Sequence, residues 1–286
     1  VSAVAALLPD GRLHLQHGPI DCLCRVWGNA SEVQAAYAQA ARFFASVLDG
    51  LCAELPLLRT PLPSPRPAGQ IAQAMHAACA PFSAGFITPM AAVAGAVADA
   101  VLDAMVDGRT VSRGFVNNGG DIAVHLTPGT SLRCALVGDL THPTHDGTFL
   151  LTADHSARGL ATSGRSCKGH GGRSFSFGIA ESVSVLARTA AQADVAATII
   201  ANAVDLPGHP AITRQPACEI DPASDLGDQP VTWDVGALTA AEIDAALDGG
   251  AAMADGLLRA GLIHGAVLIL RGTMRVRHPI RLPEAA

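Results

Sequence analysis

The sequence predicts an α+β fold in which antiparallel sheets are covered by helices. Three observations carry this reading: strand-like alternation recurs in pairs joined by tight turns, helical spacing of apolar residues also recurs in pairs, and the order of two strands, two helices and two strands appears in the first part of the chain and returns in the second. Strands joined by tight turns pair antiparallel, and amphipathic helices bury their apolar stripe against a sheet. The 286 residues are expected to form one domain of two halves, about 1–130 and 131–286, duplicated in elements rather than in residues.

The first half opens with RLHLQHGPIDCLCRVWG, which alternates on both sides of His17-Gly18-Pro19 and reads as two strands joined by a turn. NASEVQAAYAQAARFFASVLDGLCAEL then has helical spacing, a cap at Asn29 or Ser31, and an end at Pro56. RTPLPSPRPAG holds too few apolar residues to pack and reads as a surface excursion. A second helix is expected from about Pro89 to Val106, then two strands around Asn117-Asn118-Gly119-Gly120-Asp121. Residues 139–156 are polar and rich in histidine. In the second half, RSFSFGI and SVSVLAR read as strands, residues 189–204 and 239–261 as helices, and IHGAVLILRG and MRVRHP as closing strands.

Composition narrows the function. Hydrophobic residues make up 49%, charged residues 15% and aromatics 4%, so the core is built mainly of Ala, Val, Leu and Ile in a globular chain. A net charge of -6 without a Lys/Arg-rich run argues against nucleic acid as a partner. Seven scattered cysteines without a CxxC pair fit neither a disulfide framework nor a zinc ribbon, and point to a reducing, cytoplasmic setting. The start, VSAVAALLPDGRLHL, has no cationic n-region. The most apolar long window, FITPMAAVAGAVADAVLDAM, carries Asp99 and Asp103, and each acid would cost a few kcal/mol inside a bilayer. No membrane partner is expected.

Four stretches could carry chemistry. The segment LATSGRSCKGHGGRS matches neither the phosphate loop G-x-x-x-x-G-K-[ST] nor the nucleophile elbow G-x-S-x-G. It offers the hydroxyls of Thr162 and Ser163 and the flexible backbone of Gly164 beside Arg165, Lys168 and Arg173, a pattern that suits either an anion or a mobile surface loop. In NNGGDI, Gly119 and Gly120 let the backbone approach a ligand and Asp121 can hold a hydroxyl or a metal-bound water, although the same residues make a good hairpin turn unaided. In TAAQADVAATIIANAV, Thr189 and Gln192 match a capping box, and Asp194 and Thr198 lie four apart on one face. Such a pair suits Mg²⁺, which keeps waters and relies on substrate phosphates, or it is a solvated face. His142, His145, His155, Cys167 and His170 match no zinc spacing, and Cys167 beside Lys168 is either a stabilised thiolate or incidental.

Taken in order, ITPMAAVAGAVAD, VNNGGDI, LATSG and ADVAATII resemble the ApbE-like superfamily, the FAD:protein FMN transferases, and are closest to a bacterial and archaeal branch of it. The resemblance extends over nearly the whole chain, through NAVDLPGHPAI and SDLGD. It implies tandem T-fold-like halves and a flavin dinucleotide, FAD, lying along Asn118, Gly119, Gly120, Asp121, Thr162, Ser163 and Gly164, with Mg²⁺ held at its pyrophosphate by Asp194 and Thr198. It also implies a protein acceptor for FMN, or cleavage of the FAD pyrophosphate. The transferases carry a lysine in a segment like AKGYA, where this chain has VAGAVAD, and a His-Ile-x-Asp-Pro segment, where it has FSFGIAES. No catalytic residue is assigned. Two other readings stay open: a non-catalytic flavin- or nucleotide-binding protein, and an accessory role in sulfur or thiol metabolism through Cys167.

Overall fold

A computed structural model of the chain describes residues 2–136, 147–165 and 175–277. The element order opens with β1 (Val4–Leu7), β2 (Leu13–His17), β3 (Ile20–Gly28), α1 (Ala30–Phe44), α2 (Val47–Ala53), α3 (Leu55–Leu58) and α4 (Gln70–Cys79). It continues with α5 (Val93–Val106), β4 (Val111–Asn118), β5 (Asp121–Leu126), β6 (Ser131–Leu136), β7 (Gly147–Thr152), β8 (Gly159–Ser163) and β9 (Ser182–Ala187). The last elements are α6 (Ala190–Ala203), β10 (Ile212–Pro216), α7 (Ala217–Ile220), β11 (Pro230–Val235), α8 (Ala240–Arg259), β12 (Gly265–Leu270) and β13 (Thr273–Arg277).

The fold is α+β with antiparallel strands, and the chain divides into two compact units. The first comprises Val1–Arg133, Leu150–Ala161 and Ala187–Asp194. Its strands follow the order β1-β2-β3-β4-β5-β8, each pair antiparallel. In β3 the burial alternates along Ile20–Gly28, so Ile20, Cys22, Cys24 and Val26 face the interior, as the period of two demands. Helix α5 packs on β4 and β5 and against α1 and α4. Together with the 3-10 turn Pro89–Ala92 it is long and apolar enough to cross a membrane by length and composition, yet Ala96, Val97, Val101, Leu102 and Met105 are buried in this unit.

The second unit comprises Cys134–Phe149, Thr162–Leu186 and Val195–Ala286. Here β12 pairs antiparallel with both β9 and β13, and α8 packs on β12 and β13. Every residue of β9 and β12 is buried, which explains the continuous apolar run GAVLIL of β12, while β9 also buries the hydroxyls of Ser182 and Ser184. Strands β10 and β11 form a separate antiparallel ribbon.

Several local expectations are corrected. The helix expected from Asn29 to Pro56 begins as stated, with the Asn29 side chain accepting from the Glu32 amide, but it breaks after Phe44 into α1, α2 and α3. Apolar spacing persists across the break, so the pattern does not report it. RSFSFGI is not a strand over its described residues. The Asn202 carboxamide accepts from the Phe177 amide at 2.9 Å and Ile179 N–H donates to the Val204 carbonyl at 2.8 Å, which diverts this backbone from any ladder. The proline-rich excursion is partly anchored: Leu62 is buried, and the Glu54 carboxylate accepts from the amides of Ala68 and Gly69 at 2.6 and 2.7 Å, just before α4.

Candidate functional site

The hairpin at residues 118–121 is built as its sequence demands. Strand β4 ends at Asn118, β5 begins at Asp121, and Gly119 and Gly120 have φ of 65° and 111° in the turn between them. The Gly120 amide donates to the Asn117 side-chain oxygen at 2.8 Å, closing the turn locally. Neither glycine has an atom within 4 Å of where a Cβ would stand, so the bend, rather than a neighbour, calls for glycine. Asn118 and Asp121 are both buried, and the Asn118 amide nitrogen donates to the Ala94 carbonyl at 3.1 Å. That bond ties the turn to the first turn of α5.

Asp194 reaches the same first turn. The Gly95 amide donates to its carboxylate at 3.0 Å and the Ala94 amide donates to it as well, the usual use of a carboxylate at a helix N-terminus. Burial nonetheless raises its pKa, with the nearby Asp99 carboxyl adding to the rise. The close approach is possible only because residue 95 is glycine: a Cβ there would lie 2.3 Å from the Ala190 carbonyl oxygen. Gly159 does the same from β8, where a Cβ would lie 2.1 Å from the Thr189 carbonyl oxygen. The start of α6 therefore nests between two glycines, and Thr189 caps it by accepting from the Gln192 amide at 3.2 Å.

Asp99 was missed as a site residue. Its two carboxylate oxygens accept from the amides of Ala190 and Ala191, each at 2.9 Å, and burial pushes its carboxyl up to about 6. The sequence did carry a signal: an aspartate among Ala96, Val97, Ala98, Val101 and Leu102 needs a partner inside the fold.

In the second unit the hydroxyls of the expected ligand loop find partners on β9 and α6. Thr162 and Ser184 hydroxyls are 2.8 Å apart, and the Thr198 hydroxyl donates to that of Ser163 at 3.4 Å. Gly164 has φ of 135°, with the Glu181 carbonyl oxygen 2.5 Å from where a Cβ would be, so no side chain fits there. The Arg165 amide donates to the Ala180 carbonyl at 2.9 Å, and its guanidinium reaches the Trp233 carbonyl at 3.4 Å. Trp233 itself is 54% exposed.

The structure thus joins Asn118 and Asp194 through the start of α5, and joins Ser163 to Thr198. Asp194 and Thr198 stand one turn apart on α6. Their oxygen-only donors suit a hard cation that completes its shell with water and phosphate. Among the described residues no group of three or more His, Cys, Asp or Glu is placed to hold a metal. His142, His145, Cys167, Lys168, His170 and Arg173 lie outside the described residues. The cysteines at 22, 24, 52, 79, 134 and 218 are free. Burial pushes the Cys24 thiol up to about 12 and Cys134 to about 11, which makes poor nucleophiles of both.

A cavity of about 540 Å³ opens elsewhere in the first unit, between α4, α5, β5 and the start of α6, with Asp99, Asp103, His125, Arg158 and Arg188 on its wall. None of the residues expected to hold the flavin or the metal lines it, although the capping pair Thr189 and Gln192 does. Arg158 is already engaged by the carbonyls of Ala153, His155 and Ala157.

The described residues define an α+β protein with a glycine hairpin in its first unit and paired loop hydroxyls in its second. The chain belongs to the family described as AbpE bacteria, whose model matches residues 5–276. No curated protein matches it. Among solved structures it is similar to the apo form of the flavinyl transferase ApbE of Pseudomonas stutzeri, at 14% identity and a TM-score of 0.40, covering 97% of this chain and 95% of that one.

Proposed function

We propose that this chain binds FAD together with Mg²⁺ and either transfers FMN to a protein acceptor or cleaves the FAD pyrophosphate. The observation that carries the reading is Asp194: its carboxylate is oriented by the first-turn amides of α5, the turn to which Asn118 also ties the glycine hairpin, and Thr198 follows one turn along α6. Family membership and the four ordered motifs support it further.

In this reading Asp194 and Thr198 would hold Mg²⁺, which supplies charge neutralisation at the pyrophosphate oxygens. Gly119 and Gly120 let the backbone approach the ligand without a side chain intervening, and Asp121 orients a ligand hydroxyl. Thr162 and Ser163, already hydrogen-bonded to Ser184 and Thr198, offer pre-set hydroxyls beside Gly164. Pre-set donors cost little to organise when a ligand arrives. The cytoplasmic setting is part of the proposal and is supported by the six free cysteines among the described residues.

The experiment is a fluorescence titration with FAD, with and without Mg²⁺, of the wild type and Asp194→Ala. The variant is expected to lose the Mg²⁺-dependent part of the affinity; unchanged affinity in Mg²⁺ would remove the metal assignment. A second reading, a protein that binds the flavin without processing it, is favoured by the first two turns of α5, which read VAGAVAD without a lysine. FAD that stays intact through long incubation with protein, Mg²⁺ and candidate acceptors would select it.

A further inference from the structure

Two aspartates cap each other's helices. Asp99, on α5, accepts from the Ala190 and Ala191 amides at the start of α6, and Asp194, on α6, accepts from the Ala94 and Gly95 amides at the start of α5. In each helix the aspartate sits about one turn beyond the amides that the other holds, since 94 and 95 precede 99 as 190 and 191 precede 194. The bonds close a ring: Gly95 to Asp99 along α5, Asp99 to Ala190 across, Ala190 to Asp194 along α6, and Asp194 back to Gly95. The Thr189 hydroxyl donates to Asp99 from outside the ring. Gly95 lets the two helices approach closely enough for both bridges to form.

We infer that Asp99 is a positioning residue: through this clasp it fixes the first turn of α6 and thereby the place and orientation of the Asp194 carboxylate. The consequence for cation binding rests on the metal reading given above; the clasp itself does not. A helix is stiff over one turn, so a shift of Ala190 and Ala191 is passed to Asp194. A carboxylate suits both bridges because it accepts at two oxygens. An asparagine offers one oxygen and turns its NH₂ toward the other amide, which then has no acceptor.

The test uses the full chain at neutral pH, with Mn²⁺ alone as the cation probe, read by electron paramagnetic resonance, and with amide hydrogen exchange in the absence of metal. In Asp99→Asn, exchange is expected to speed up at Ala190 and Ala191 and also, across the clasp, at Ala94 and Gly95, while Mn²⁺ binds about 5- to 30-fold more weakly, the span that about 1–2 kcal/mol of lost positioning corresponds to. Asp194→Asn should speed exchange at the same four amides and abolish Mn²⁺ binding, and the double variant should exchange little faster than either single one. Faster exchange confined to Ala190 and Ala191, with Mn²⁺ affinity unchanged, would reduce Asp99 to a local cap and overturn the inference. A wild type that binds no Mn²⁺ would refute the metal reading, and the four amides would then decide the clasp alone. Should Asp99→Asn fail to fold, Thr189→Val removes the hydroxyl that both supports Asp99 and caps α6, so it is read at Ala94 and Gly95 across the clasp, where exchange about 2- to 5-fold faster is expected and unchanged exchange would overturn the inference.

Discussion

Replacing Gly95 by alanine should destabilise this protein, although the same change usually stabilises a helix. The new Cβ would lie 2.3 Å from the Ala190 carbonyl oxygen, 2.4 Å from its carbon and 2.7 Å from the Ala191 nitrogen. Ordinary contact begins near 3.4 Å, so the first turn of α6 must retreat by about 1 Å. That retreat stretches the 3.0 Å bond from the Gly95 amide to Asp194 beyond hydrogen-bonding range. Overpacking of this kind costs about 1–3 kcal/mol, and loss of a hydrogen bond to a charged group about 1.5–3 kcal/mol. The better helix propensity of alanine returns about 1 kcal/mol. The net expectation is a loss of about 1.5–5 kcal/mol. Gly256, inside α8, provides the control, because nothing lies within 4 Å of its Cβ position. Gly256→Ala should stabilise by up to about 1 kcal/mol. Urea unfolding of the two variants reads both signs, and a Gly95→Ala protein as stable as Gly256→Ala would refute the packing described for α5 and α6.

Burial holds the Asp99 carboxyl at about 6, above its ordinary 3.8, so the folded chain binds this proton more tightly than the unfolded chain does. The stability from this group is present below about pH 4 and declines by about 3 kcal/mol as pH rises through 6, and Asp99→Asn should flatten the urea midpoint between pH 4 and 7. A variant profile as steep as that of the wild type would contradict this. Thr239 and Glu242 form a capping box on α8, with the Thr239 amide donating to Glu242 at 2.7 Å and the Glu242 amide donating to Thr239 at 3.3 Å. Thr239→Ala should cost about 1 kcal/mol in the same assay, and a neutral result would show that the cap adds nothing.

The sequence made legible what local chemistry determines. Asn117-Asn118-Gly119-Gly120-Asp121 forms its hairpin because two consecutive positive φ values admit glycine readily, and Asn29 and Thr189 cap helices because their side chains reach amides three residues on. The spacing of Asp194 and Thr198 follows from the helical period alone. The bridge from Asp99 to Ala190 was not legible, because it joins positions 91 residues apart and nothing local signals it. The same holds for Asn118 and Ala94, 24 apart, and for Ser163 and Thr198, 35 apart. Strands β1, β6, β7, β8, β10 and β11 were missed for another reason: neither the four exposed residues of β1 nor the half-buried run of β10 alternates, and β7 falls inside the stretch that reads as polar. Asp99 was read only as a charge unsuited to a bilayer. In the folded chain it serves the start of a second helix.

The measurement that tests the central claim most directly is a titration of the purified protein with FAD, followed by flavin fluorescence, with and without Mg²⁺. Tight binding that requires Mg²⁺ and is lost in Asp194→Ala is the predicted result. Equal binding with and without the metal would contradict the role given to Asp194 and Thr198, and no binding in either condition would contradict the flavin reading itself.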